Sequence, residues 1–127
     1  MKIQLESHGR ANVIRAYAPG SVTVNQDIYR ASVVVTPDRI VTEWPPRAFA
    51  ELTAAHFEAL RALDPEIVLL GTGTRLQFPA PVLTQSLVLA GIGFEIMDTG
   101  AACRTYNVLM NEGRRVAAAL LMIGESK

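Results

Sequence analysis

The stretch "NVIRAYAPGSVTV", residues 12–24, sets β-prone residues on both sides of Pro19-Gly20. That spacing predicts two strands joined by a tight turn. "RASVVVTPDRIVTEW" repeats the scheme, with strands expected over 32–35 and 39–43 around a turn at Thr36-Pro37-Asp38. Pro45-Pro46 ends this region, because proline cannot donate to a ladder. The period then changes. A helix is expected over 53–63, with Thr53 as its cap, Leu52 and Phe57 at the two positions of a hydrophobic staple, and Asp64-Pro65 as its stop. "EIVLLG" follows as a short, wholly apolar strand of the kind covered on both faces. Pro81 opens a second helix with Leu83, Leu87 and Ala90 on one face, Gly91 closes it, and "GFEIM" returns as a strand. Strand, helix and strand in this order predict a right-handed crossover and a parallel pair.

The tail, "DTGAACRTYNVLMNEGRRVAAALLMIG", has helix-forming composition almost throughout. Asp98 or Thr99 can cap a helix that Gly113 ends. Beyond it, "RRVAAALLMI" reads either as another helix, since alanine favours helices, or as a buried strand over 116–122, since strands and helices alternate here.

Composition narrows the class. At 127 residues the chain is one domain, 1–127, able to bury about two-thirds of its unfolded surface. Twelve basic residues balance twelve acidic ones, so the formal net charge is zero and a general nucleic-acid binder is disfavoured. Cys103 is the single cysteine, which leaves no disulfide within the chain and no cysteine-based zinc site. The first 20 residues lack the apolar core of a signal peptide, and no run reaches the roughly 20 apolar residues that span a bilayer. The expected setting is the cytoplasm, with no membrane span.

The candidate chemistry sits after the two parallel strands. In an open parallel sheet ligands collect beyond the strands' carboxyl ends. Gly71-Thr72-Gly73 and Asp98-Thr99-Gly100 both follow such strands and should lie together. Their amides can attract an anion, with Arg75 and Arg104 adding charge and Thr72, Thr74, Thr99 and Thr105 adding hydroxyls. The stretch nonetheless lacks the third glycine of a dinucleotide fingerprint and the G-K-[ST] end of a P-loop. The alternative is that these glycines only let the chain turn sharply. Cys103 is either a nucleophile near a helix start or a buried thiol among alanines; neither His8 nor His56 has a spacing that ties it to Cys103. Arg104 is either a pocket cation or the partner of Asp98, Glu95 or Glu112. Trp44 is either an exposed contact residue or a lid on the core. No metal-ligand spacing and no cofactor motif occurs.

"IVLLGTGTRLQFP" followed by "GIGFEIMDTGAACRTYNVLMNEGRRVAAALL" resembles a family of small α/β domains. Its members include the mitochondrial NADH dehydrogenase (complex I) assembly factor 3 and many prokaryotic proteins. The shared pattern is Gly71-Thr72-Gly73, then Gly91-Ile92, then Met97 through Leu109, then Glu112 through Leu120. The resemblance implies an α/β, three-layer fold: a central mixed, mostly parallel sheet, helices on its faces, and an additional small N-terminal β-layer. It also implies that the tail is a strand. It further implies a non-catalytic binding or assembly module that assists respiratory complex I maturation through a protein partner. The polar pocket at 71–75 and 98–106 would comprise Gly71, Thr72, Gly73, Arg75, Asp98, Thr99, Arg104, Thr105 and Tyr106. Two other readings accompany it: an enzyme acting on a small anionic metabolite at that pocket, and a homo-oligomer built through the N-terminal β-layer.

Overall fold

The computed structural model describes residues 10–122. His8 and the rest of the first nine residues, and the last five, lie outside the described residues. Five short strands come first: β1 (Ile14–Ala18), β2 (Ser21–Val24), β3 (Asp27–Tyr29), β4 (Val33–Thr36) and β5 (Arg39–Val41). A 3-10 turn at Phe49–Glu51 leads to α1 (Ala54–Arg61) and β6 (Ile67–Gly71). A second 3-10 turn, Pro81–Thr84, runs into α2 (Gln85–Leu89); then come β7 (Gly93–Met97), α3 (Thr99–Asn111) and β8 (Val116–Leu120).

The strands form two sheets. One is a three-stranded antiparallel meander, β1-β2-β3, and the other is five-stranded in the order β5-β4-β8-β6-β7. In the larger sheet β6 pairs in parallel with both β7 and β8, while β4 pairs antiparallel with β5 and β8. The sheet is therefore mixed, with two parallel and two antiparallel pairings, and only β4 runs against the other four strands. The tail is a strand, and it lies at the sheet's centre despite its alanines. Small side chains suit that place, because Ala117, Ala118 and Ala119 are wholly buried with apolar residues packed on both faces.

The period-2 alternation of strands sorts the core into two halves. Val33, Val35, Leu69, Ala118 and Leu120 face α3 and the small sheet, meeting Ala102, Cys103, Tyr106, Ile14, Val22 and Val24. Val34, Val68, Leu70, Ala117 and Ala119 face the other way, onto Phe57 and Leu60 of α1 and Leu87 of α2. Leu52 and Phe57 are both buried there, as a staple at the start of α1 requires. Trp44 is a lid on this half: it is buried, donates its indole N–H to the His56 carbonyl at 3.2 Å, and meets the His56 ring edge-on.

Three local expectations change. α2 is shorter than expected, because Pro81 starts a 3-10 turn and only Gln85–Leu89 is α-helical. Ala90 is consequently exposed instead of sharing the buried face of Leu87. The strand β3 was not legible at all; the hairpin before it turns on Asn25, whose φ of 56° is a left-handed value that asparagine tolerates better than most residues.

Candidate functional site

The two turns meet. β6 and β7 run side by side with Gly71 opposite Met97, so both chains leave the sheet at one edge. What happens there is a mutual hydrogen-bond lock. The Thr72 amide donates to the Met97 carbonyl at 2.9 Å, and the Thr99 amide donates to the Gly73 carbonyl at 2.9 Å. In return the Gly73 amide donates to Thr99 Oγ1 at 2.7 Å, and that hydroxyl donates to the Leu121 carbonyl at 3.0 Å. Thr72 Oγ1 closes the next loop, donating to the Arg75 carbonyl at 2.6 Å and accepting from the Gln77 amide at 3.2 Å. Asp98 caps α3, its Oδ1 accepting from the Ala101 amide at 2.8 Å. Thr72, Gly73 and Thr99 are buried. A Cβ on Gly71 would sit 2.9 Å from both Cα and Oγ1 of Thr99, so this glycine admits the start of α3 against the strand.

The nine candidate residues thus divide, with Thr105 half-buried on α3. Gly71, Thr72, Gly73, Asp98 and Thr99 come together, and these polar groups are taken up by one another and by Arg75, Gln77, Ala101 and Leu121. Arg75 is exposed on the loop beyond. Tyr106 points into the core, and its hydroxyl donates to the Asn12 carbonyl at 2.8 Å. Its neighbour Asn107 grips the backbone of Ile14 with both ends of its amide, accepting from the nitrogen at 3.0 Å and donating to the carbonyl at 2.7 Å. The Tyr106-Asn107 pair therefore fastens the N-terminal arm to α3. Arg104 makes no ion pair with Asp98, Glu95 or Glu112 among the described residues, whose ion pairs involve Glu51, Glu58 and Glu66. It opens on a groove of about 320 Å³ between β1 and α3, lined also by Arg15, Tyr17, Gly100, Cys103 and Asn107. Arg75 does not line it.

Arg15 and Tyr17 escaped sequence reasoning. The signal was present only as alternation, and a β-bulge between Ile14 and Ala16 breaks that alternation at Arg15. A larger hollow of about 480 Å³ lies at the opposite end of β6 and β8, between the Pro37-Asp38 turn and Arg114-Arg115. There Glu66 pairs with both arginines, and the Arg114 hydrogen bond, aided by the Arg115 amide, holds its carboxyl below the usual carboxylate range.

Cys103 forms part of the groove floor and is almost fully buried. Desolvation disfavours its thiolate and outweighs the opposing pull of Arg104, Asp98 adds a smaller push upward, and the thiol pKa rises from 9.0 to about 12. At pH 8 it should resist a soluble disulfide reagent in the folded protein and react on unfolding in urea. The sign of the stability effect follows. Above pH 9 the unfolded thiol loses its proton while the folded one keeps it until about 12, so stability present below pH 9 declines as pH rises through that window. Burial raises the Tyr106 phenol too and extends the decline. Urea midpoints measured at pH 8 and at about pH 10 should fall in that order; equal midpoints would contradict the burial argument.

A mixed five-stranded sheet flanked by a small meander, with its glycine turn locked onto a helix start, defines a small α/β domain. The chain belongs to the family described as "Protein of unknown function (DUF498/DUF598)", whose pattern matches residues 14–121. It is similar to the NADH dehydrogenase [ubiquinone] 1 alpha subcomplex assembly factor 3 of Bos taurus, at 32% identity over 113 residues, covering 87% of this chain and 61% of that one. The chain thus spans about three-fifths of that relative's length. Among solved structures, a Xanthomonas campestris protein matches at 39% identity and a TM-score of 0.85, covering 100% of this chain and 96% of that one. A Bordetella pertussis protein described as an Mth938-like domain matches at 32% identity and a TM-score of 0.82, covering 99% and 95%.

Proposed function

We propose that this chain is a non-catalytic assembly module that holds a protein partner and assists maturation of respiratory complex I. One observation carries the reading. Residues 67–94 contain a single charged side chain, Arg75, and within that run Leu76, Phe78, Val82, Val88 and Leu89 stand out from the surface, Phe78 at 68% exposure and Leu89 at 79%. Contiguous exposed apolar patches mark interaction surfaces, and we read these neighbours in sequence as one such patch. The loop that carries them is also preorganised: the Thr72 hydroxyl ties its base, and Pro79 is buried between exposed Phe78 and Ala80. A rigid aromatic anchor loses little freedom on docking. The name of the assembly-factor relatives supports complex I as the setting. In three-layer terms, the docking run belongs to the α1–α2 layer, and the groove to the opposite one.

The test is a strain lacking the protein, scored for assembled respiratory NADH dehydrogenase on native gels. The natural chain should restore assembly. A double variant, Phe78→Asp with Val82→Asp, should fold normally yet lose about thirty-fold or more in partner affinity, as expected for a central aromatic anchor. Full restoration by the variant would remove the docking surface from the account.

The Arg104 groove favours a second ligand, a small anion. Among the described residues no histidine lines the groove and its thiol stays neutral, which disfavours turnover of an anionic metabolite there. The anion is held, not converted.

A further inference from the structure

We propose that the groove between β1 and α3 receives a phosphoryl group, gripped from two sides by Arg15 and Arg104. This inference deepens the anion half of the functional reading and is independent of the apolar docking face. The two guanidinium groups come from different elements, and neither makes an ion pair among the described residues. Among the described residues, no carboxylate lines the groove with them. The carboxylate that caps α3, Asp98, has an oxygen engaged by the Ala101 amide. Asp98 stands beside the Gly100 wall, so two guanidinium charges meet one carboxylate there and leave a net positive hollow. Such a hollow matches an anion, and a phosphoryl group carries close to two charges near neutral pH. Planar guanidinium forks also match its oxygens bidentately, which favours phosphate over a single carboxylate.

The backbone aims these groups deliberately. The bulge between Ile14 and Ala16 leaves Arg15 outside the β1–β2 ladder, and bulges re-aim side chains at functional sites. Asn107 holds Ile14 by both backbone groups, which fixes the bulge against α3. Gly100 supplies the wall: a Cβ there would lie 3.2–3.3 Å from the Tyr17 ring, so glycine lets that ring lie across the first turn of the helix. A volume of about 320 Å³ suits one phosphorylated group and its immediate substituent.

Backbone amide shifts of the full chain should be followed by NMR as inorganic phosphate is added at constant ionic strength, with acetate as the carboxylate comparator. Saturable shifts centred on residues 15–17 and 100–107 are expected, with acetate binding more weakly. Arg15→Gln and Arg104→Gln should each weaken phosphate binding about ten-fold, as loss of a charged hydrogen-bonding partner does, while Arg75→Gln should leave it unchanged. Unchanged thermal midpoints would establish that the variants fold. O-phosphoserine distinguishes the source: binding tighter than inorganic phosphate assigns the site to a phosphorylated side chain of a partner, and equal binding assigns it to free phosphate. Loss with Arg104→Gln alone would leave an anion site and overturn the clamp. Shifts centred on Gly73 and Arg75 would overturn it too and return the ligand to the turn. No saturable shift at all would sink both the clamp and the anion reading.

Discussion

Replacing Gly71 with alanine should destabilise the fold by about 2–3 kcal/mol, the upper part of the range for overpacking a filled core. The added methyl would lie 2.9 Å from Thr99 Cα and 3.2 Å from Ala102 Cβ. The first is backbone, which a rotamer change cannot move aside. Shifting the start of α3 to make room would in turn stretch the Thr99–Gly73 and Thr99–Leu121 hydrogen bonds. Gly71 is also the last residue of β6, registered against both Met97 and Leu120, so the strand cannot retreat without loosening two ladders. Equilibrium urea unfolding with an unchanged slope would read the loss directly. A cost below about 0.5 kcal/mol would mean that the helix start is not packed on the strand as described.

Changing Thr99 to valine should cost a similar amount, about 2–4 kcal/mol, by a different route. Valine keeps the shape and deletes only the hydroxyl, so no cavity forms. That hydroxyl is wholly buried, accepts from the Gly73 amide and donates to the Leu121 carbonyl. Both backbone groups would be left unpaired away from water, at about 1–3 kcal/mol each. Thr99→Ser is the control, since it retains the hydroxyl and should recover most of the loss. If serine and valine destabilise equally, the methyl and not the hydrogen bond matters. The two sites touch, so the cost of combining Gly71→Ala with Thr99→Val should depart measurably from the sum of the singles.

Much of the architecture was legible along the chain because periodicity is local. The apolar run of β6, the staple of Leu52 and Phe57, and the turns at Pro19-Gly20 and Pro37-Asp38 announce themselves within a few residues. β8 is the exception. Its alanines favour a helix by propensity, and the alternation of elements together with the family resemblance pointed to a strand; tertiary burial decides it. The glycine turn was located correctly, yet its use depends on a hydroxyl 26 residues away that takes up the Gly73 amide. No local pattern carries that information. The same holds for Asn107, whose amide meets Ile14 across 93 residues, and for Arg15, whose direction depends on a bulge set by the pairing of β1 with β2.

The position of β8 has a consequence for biosynthesis. The final strand of the described chain sits between β4 and β6, and it joins an early antiparallel pair to a later parallel one. Until Val116–Leu120 has left the ribosome, the two portions of the sheet share no ladder, and their apolar edges face one another across a missing rung. Cotranslational folding can form the hairpins and α1 but cannot close the domain. Completion of the sheet therefore waits for this strand, and until it pairs both flanking edges stay open to non-native contacts.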